Sequence, residues 1–222
     1  MGQDITLTAA DGHTLSGYEA TAEGAKVGVV VLQEIFGVNP HIRDVADRFA
    51  AAGYQAVAPA LFDRIERGFE SGYSAEEVDA ARPFLAKFDW DAALADVDAA
   101  RAHLAGKGLQ VAVVGFCLGG SLAFLSATRL DGLAAAVGYY GGYIAKVADE
   151  APRCPVLLHY GDSDHTIPMG DVEAVKAARP DVEIHVYQAG HGFNCDARGS
   201  FDKQSADLAW ARTLAHIARA TG

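Results

Sequence analysis

A cysteine stands between two glycines where an apolar run meets a segment of helical character. The segment Gly115-Phe116-Cys117-Leu118-Gly119 has the form G-x-C-x-G. A tight strand-to-helix turn needs small flanking residues and presents its central side chain at the N-terminus of the helix. There the sulfur faces unpaired N–H groups and the positive end of the helix dipole, which favours thiolate. The motif therefore predicts a nucleophilic Cys117, with the N–H of Leu118 as an oxyanion donor.

An acid and a base follow later in the chain, each just after an apolar run. Asp162 and Asp164 come after 156–160, and His191 comes after a run that ends at residue 187. The order nucleophile, acid, base is that of α/β-hydrolases. A buried structural cysteine explains Cys117 alone equally well, but it does not explain this order. Both aspartates also suit turns, so the pattern leaves the acid open between them.

The other histidines are expected at structural or surface positions. His165 stands beside Asp164, too early in the chain for the base, and fits a surface loop. The remaining six histidines do not lie in glycine-flanked turns that follow a strand. They are His13, His41, His103, His159, His185 and His216.

Hydrophobic periodicity predicts strands that alternate with helices. A hairpin is expected over 7–15 around Asp11-Gly12, and a long surface loop over 61–73. Further strands are expected at 27–32, 54–58, 109–115, 134–140, 156–160 and 182–187. Helices are expected between Asn39 and Gly53, over 91–105, from 117, and over 201–218, the last with Leu208, Leu214 and Ile217 buried. This alternation predicts a doubly wound, mostly parallel α/β sheet, in which sites form at the carboxyl ends of strands.

Size, charge and cysteine usage limit the possible functions. The 222 residues suggest one domain over 1–222, and the net charge of −11 argues against a nucleic-acid partner. No apolar run reaches the roughly 18 residues of a membrane helix, and no secretory signal is recognised. The three cysteines lack zinc-ligand spacing and suggest free thiols, so we expect no metal site and a cytoplasmic protein.

Four motifs resemble the dienelactone hydrolase (carboxymethylenebutenolidase) family. They are Gln33-Glu34-Ile35-Phe36-Gly37-Val38-Asn39, Gly115-Phe116-Cys117-Leu118-Gly119-Gly120, Gly138-Tyr139-Tyr140-Gly141 and Gly190-His191-Gly192-Phe193. The resemblance implies an α/β-hydrolase fold without a large lid. The family places its acid in a G-x-x-D-x-x-hydrophobic-P segment. Gly161, Asp164, Ile167 and Pro168 match that segment, and this match selects Asp164.

The resemblance also implies roles outside the triad. It assigns Glu34 to contact the resting cysteine and the N–H of Ile35 to the oxyanion; a solvated strand-end charge is the alternative for Glu34. Phe36 and Tyr139 are expected to bind substrate. Family members that act on dienelactone hold its carboxylate with arginines, but Cys195 occupies one of those positions here. Arg198 is the nearest arginine and Arg82 lies about one turn from the other position, and either also fits a plain surface residue.

The predicted function is hydrolysis of a small ester or lactone through a Cys-His-Asp triad and a thioester, with no metal or organic cofactor. The partner is a small-molecule substrate, and the protein is expected to be a monomer or small homo-oligomer. A carboxylesterase or thioesterase of other specificity, or a non-catalytic redox-sensing protein, is the alternative. A nucleotide-binding module is disfavoured because no G-x-G-x-x-G follows the first parallel strand.

Overall fold

A computed structural model of the protein describes residues 2–222. The chain divides into two compact units, one up to Ala112 and one from Val113 onward. Both units contain strands and helices. The assignment of a single domain over 1–222 stays a prediction. No helix within 2–222 has the length and apolar character that crossing a membrane requires.

The first unit holds the antiparallel edge and the first parallel strands. Its strand order is β1-β2-β4-β3-β5, with β1–β2 and β2–β4 antiparallel and β3–β4 parallel. Strand β3 is buried from its second residue onward, as expected of a parallel strand covered on both faces. The elements are β1 (Gln3–Thr8), β2 (Thr14–Ala20), β3 (Val27–Leu32), α1 (Pro40–Ala51), β4 (Gln55–Pro59), a 3₁₀ turn (Leu61–Arg64), α2 (Ala75–Lys87), α3 (Trp90–Ala105) and β5 (Gln110–Phe116), which runs on into the second unit.

The second unit continues the parallel arrangement. Its strand order is β5-β6-β7-β8, and the pairs β6–β7 and β7–β8 are parallel. The elements that follow β5 are α4 (Leu118–Arg129), β6 (Leu133–Tyr139), a 3₁₀ turn (Ile144–Lys146), β7 (Val156–Gly161), α5 (Met169–Ala178), β8 (Glu183–Tyr187) and α6 (Lys203–Thr221). Helices α4 and α6 both pack on β6. The predicted mostly parallel α/β class is confirmed.

Local signals at the ends of α1 act as the sequence predicts. Oδ1 of Asn39 accepts a hydrogen bond from the N–H of Ile42 at 3.2 Å, and Pro40 occupies the first helical position. Gly53 follows the helix with φ of +93°, a conformation that costs glycine little. The chain therefore leaves this helix at the residue that the sequence marks.

Helix α2 was not predicted from hydrophobic periodicity. It begins with a capping box, in which Ser74 and Glu77 bond each other's backbone N–H, and it contains Pro83. Only Ala81 and Phe84 are buried, so its apolar face is too narrow to give a clear helical period. Helix α5, with buried Val172 and Val175 alone, was missed for the same reason.

The predicted buried face of α6 is wrong in part. Leu208 is 44% exposed, and Leu214 is half-buried, whereas Ile217 is buried as predicted. The buried face instead carries Ser205, Ala206, Ala209, Thr213, His216 and Ile217. Small and hydrogen-bonded polar side chains lie against the strands here. A pattern based on large apolar residues cannot identify such a face.

Candidate active site

Cys117 occupies a strained turn between β5 and α4. Its φ of 55° and ψ of −111° are uncommon for a residue with a side chain. Its backbone N–H donates to the carbonyl of Tyr139 at 3.0 Å, which fixes the turn to β6. A Cβ at Gly115 would collide with the carbonyl of Gly119, so the close approach of strand and helix requires glycine there. The turn leaves the Cys117 side chain partly exposed.

The N-terminus of α4 faces this side chain. Leu118 is the first residue of the helix, and the first backbone bond runs from the N–H of Ser121 to the carbonyl of Cys117 at 3.2 Å. The N–H groups before Ser121 have no carbonyl of the helix to bond, and they carry the positive end of its dipole. An anion formed next to Cys117 would meet these donors, of which that of Leu118 comes first.

His191 connects the cysteine to one of the two candidate aspartates. Its Nδ1 lies 2.7 Å from Oδ2 of Asp164, and its side chain also hydrogen-bonds Cys117. Because Nδ1 faces Asp164, Nε2 is the ring nitrogen left for the thiol. Asp162 is exposed, and its Oδ1 accepts instead from Oγ of Ser163 at 2.8 Å. The structure thus brings together Cys117, His191 and Asp164.

The second carboxylate oxygen of Asp164 is held by the turn that follows it. Oδ1 accepts from the N–H of Thr166 at 2.8 Å, the N–H of Ile167 at 3.1 Å and Oγ1 of Thr166 at 2.7 Å. Oγ1 of Thr166 also lies 2.9 Å from Nδ1 of His191. No sequence motif predicted a role for Thr166. Its only signal was a hydroxyl residue two positions after an aspartate, which is common in turns.

The surroundings favour the protonated form of His191 and the ionised form of Asp164. Burial alone would lower the pKa of His191, but Cys117 and Asp164 outweigh it and raise that pKa to about 10. Burial raises the pKa of Asp164, but the contacts with His191 and Thr166 outweigh it and leave that pKa below its usual value. Such an arrangement can accept a thiol proton and hold the resulting imidazolium in place.

Residues 15–221 match the model of the dienelactone hydrolase family. The chain belongs to this family. It is 33% identical to a carboxymethylenebutenolidase of Pseudomonas putida, over 98% of this chain and 97% of that one. It is 34% identical to a Synechocystis protein assigned as a carboxymethylenebutenolidase, over 89% of each chain. A crystal structure of a Klebsiella pneumoniae protein, assigned as a dienelactone hydrolase, matches with a TM-score of 0.85 and 32% identity over 99% of both chains.

Membership of the dienelactone hydrolase family confirms three predictions from the sequence. The family itself, the α/β-hydrolase fold and the enzyme class, a hydrolase of carboxylic esters or lactones, are all as expected.

The first family motif lies directly after β3. Glu34 is 1% exposed, so the alternative of a solvated strand-end charge is wrong. Ile35 is half-buried. Phe36 is 2% exposed and packs its ring 4.7 Å from that of Tyr73, which makes it part of the packing of the first unit. Gly37 adopts a φ of +76°, and a Cβ there would collide with the carbonyl of Phe69.

The two candidate arginines differ in their surroundings. The side chain of Arg82 is 69% exposed, and its Nε lies 3.4 Å from Asp79, so it resembles a plain surface arginine of α2. Arg198 is half-buried, and its guanidinium lies directly against Gly192, the residue after His191. Of the two arginines, Arg198 is therefore the one that lies near His191 along the chain and is partly shielded from solvent.

The assignment of Tyr139 to substrate binding needs correction. Its side chain is fully buried, and its hydroxyl lies 2.6 Å from Oγ1 of Thr213 on α6. The next residue, Tyr140, lies just beyond the end of β6, and its ring is the one beside His191, with centroids 5.0 Å apart. Tyr140 has a φ of 40° and belongs to the same family motif, but its position beside His191 was not predicted.

Proposed function

We propose that the protein hydrolyses a small carboxylic ester or lactone, with Cys117 as nucleophile, His191 as proton carrier and Asp164 as the acid that orients it. One observation carries the proposal. The imidazole of His191 bonds Asp164 through Nδ1 at 2.7 Å and also bonds Cys117, which stands on a strained turn at a helix N-terminus. This geometry supports the roles of nucleophile, base and orienting carboxylate.

Acylation begins from the thiolate–imidazolium pair. Sγ of Cys117 attacks the carbonyl carbon and a C–S bond forms. The π-electron pair of the C=O bond moves onto the carbonyl oxygen. The N–H of Leu118 stabilises this oxyanion. As the intermediate collapses, the C–O bond to the leaving group breaks and His191 gives its proton to the departing alkoxide. The product is a thioester on Cys117; with a lactone, the released hydroxyl remains part of the acyl chain.

Deacylation uses the neutral imidazole as a base. His191 takes a proton from water, and the hydroxide adds to the thioester carbonyl. The C–S bond then breaks, which releases the carboxylic acid and returns thiolate to Cys117 and imidazolium to His191. Asp164 stays ionised throughout, because its role is to hold the ring and stabilise its positive charge.

The substrate class is proposed from the relatives and from one arginine. The relatives named above include a carboxymethylenebutenolidase. Arg198, half-buried beside Gly192, offers a charge that could pair with a carboxylate on the substrate. The assignments of Glu34 to the resting thiol and of Ile35 to the oxyanion stay predictions from the family resemblance, as does substrate binding by Phe36.

The test is a screen of small lactones, carboxylesters and thioesters against wild type and Cys117→Ala. We expect the variant to lose roughly three or more orders of magnitude in kcat. Acid quenching of the wild type during turnover should trap an acyl group on Cys117, detectable by mass spectrometry.

Cys154→Ala is the matched control, because Cys154 is also half-buried, and burial raises the pKa of its thiol to about 11. This control should keep wild-type turnover. Hydrolysis that survives in Cys117→Ala, or an acyl group found on another residue, would contradict the proposal.

A further inference from the structure

The hydroxyl of Thr166 lies within hydrogen-bond distance of both the acid and the base. Its Oγ1 is 2.7 Å from Oδ1 of Asp164 and 2.9 Å from Nδ1 of His191. Nδ1 in turn lies 2.7 Å from Oδ2 of the same carboxylate. The three side chains therefore form a closed set of contacts, in which the hydroxyl touches both charged partners.

The direction of these bonds follows from donor and acceptor chemistry. An ionised carboxylate only accepts, so the single hydroxyl proton of Thr166 goes to Asp164. The lone pairs of Oγ1 then face His191, whose Nδ1–H is shared between Oδ2 of Asp164 and Oγ1. The hydroxyl dipole has its positive end toward the anion and its negative end toward the cation.

Holding the turn does not require this hydroxyl. Oδ1 of Asp164 already accepts from the backbone N–H groups of Thr166 and Ile167, at 2.8 and 3.1 Å. These two bonds survive any substitution of the Thr166 side chain other than proline. The contact between Oγ1 of Thr166 and Nδ1 of His191 is therefore not needed to hold the turn. Its effect is on the imidazole of His191.

We propose that Thr166 is a positioning residue of the proposed triad, whose hydroxyl stabilises the ionised Asp164–His191 pair and keeps the imidazole turned toward Cys117. The inference rests on the proposed function. Without the hydroxyl, the pair becomes less stable in its ionised form. The ring also loses one of the two acceptors that fix its rotation. Thiolate on Cys117 is then less favoured.

Other groups contact His191 or lie close to it along the chain, and they must stay constant in a test. Cys117 approaches from the start of α4, and the ring of Tyr140 packs against the imidazole from the end of β6. The guanidinium of Arg198 lies against Gly192, and His165 adjoins Asp164 on the same loop. The variants below change none of these groups.

The experiment compares Thr166→Val, which keeps the shape and removes the hydroxyl, with Thr166→Ser, which keeps the hydroxyl. Ser163→Ala is the matched control, because Oγ of Ser163 bonds the exposed Asp162 on the same loop. Alkylation of Cys117 by iodoacetamide is followed against pH by peptide mass spectrometry. The Nδ1–H proton of His191 and its titration are followed by NMR, and kcat is measured on the best ester of the screen.

For Thr166→Val we expect the pH of half-maximal Cys117 alkylation to rise by about half a unit or more. The titration of His191 should move downward, and kcat should fall roughly 5- to 20-fold. Thr166→Ser should keep the alkylation midpoint and the His191 titration close to those of wild type, and its kcat should stay within about twofold of wild type. Ser163→Ala should change none of these three quantities. Thermal unfolding of every variant should stay close to that of wild type.

The inference is overturned if Thr166→Val keeps the wild-type alkylation profile and His191 titration, or if Thr166→Ser is impaired as much as Thr166→Val. Alkylation and NMR do not depend on turnover. If Cys117→Ala retained hydrolysis, the proposed function would fall, while these two readouts would still decide the role of Thr166.

Discussion

Oδ2 of Asp164 lies 2.7 Å from Nδ1 of His191, while the carboxylate of Asp162, two residues earlier, points to Ser163. The turn after β7 produces this difference. Backbone N–H groups at residues 166 and 167 bind one oxygen of Asp164 and leave the other directed at the imidazole. One loop thus carries one aspartate that contacts the histidine and one that is exposed.

This relationship predicts unequal effects of two otherwise equivalent substitutions. Asp164→Asn should lower kcat by about 10²- to 10⁴-fold, because an amide neither stabilises imidazolium nor fixes its tautomer. Asp162→Asn is the control on the same loop and should stay within about twofold of wild type. Steady-state kinetics of both variants, with circular dichroism as a check of folding, measures this. The opposite ranking would mean that Asp162 is the acid.

The raised pKa of His191, about 10, depends on its neighbours. Cys117→Ala removes the largest influence that raises it, so this pKa should fall by about one unit or more. NMR titration of the ring between pH 5 and 11 tests the shift, and Cys154→Ala should leave it unchanged. An unaltered His191 titration in Cys117→Ala would show that the thiol does not interact with the ring as described.

The raised pKa of His191 also predicts the direction in which the free energy of unfolding changes with pH. A histidine whose folded pKa lies above its unfolded value, near 6.5, stabilises the protein fully below that pH and loses this effect as pH rises through about 10. The contribution of His191 to the free energy of unfolding should therefore be lost between pH 6.5 and 10, and this loss should be smaller in Cys117→Ala. Urea unfolding across this range measures both slopes. A steeper slope in the variant would contradict the assignment.

The two arginines should affect substrates differently. Arg198→Ala should raise KM for a lactone with a free carboxylate by roughly tenfold or more, as expected for loss of a charge-assisted hydrogen bond. The methyl ester of the same lactone should be much less affected. Arg82→Ala should change neither, because that side chain is largely exposed. Equal effects of Arg198→Ala on the two lactones would remove Arg198 from carboxylate binding.

A buried carboxylate in the first unit should control acid stability. Glu19 on β2 is 3% exposed and is bonded by Gln55, His103 and Lys107. Burial raises its pKa, but these contacts outweigh it and lower the pKa to about 2. The stabilisation is therefore present above pH 4.5 and is lost as pH falls toward 2.

Glu19→Gln should consequently destabilise the protein by about 3 kcal/mol at pH 7 and by progressively less toward pH 2, where wild type also carries a neutral group. The exposed Glu23 provides the control variant Glu23→Gln, which should match wild type at each pH. Urea unfolding at pH 7, 4 and 2.5 makes the comparison. A gap between Glu19→Gln and wild type that widens on acidification would contradict the account.

The sequence by itself determined the features that depend on neighbours along the chain. The turn at Cys117 needs glycine at position 115 because strand and helix approach closely, and that requirement is visible in a five-residue segment. Asn39 and Pro40 mark the start of α1 for the same local reason. Continuous apolar runs identified the parallel strands, since strands buried on both faces carry few polar residues. These features were sufficient for the fold class and for the positions of Cys117 and His191.

Only the tertiary structure decided which side chains meet. From the chain alone, Asp162 and Asp164 were equivalent, and the choice between them needed a family pattern; the distance to His191 separates them directly. Tyr139 and Tyr140 are neighbours in sequence, yet the hydroxyl of Tyr139 contacts Thr213 on α6, whereas the ring of Tyr140 lies beside His191. The charges of the site likewise arise from burial and from partners distant along the chain. Contact across space has no local sequence pattern, so these features had to be read from the fold.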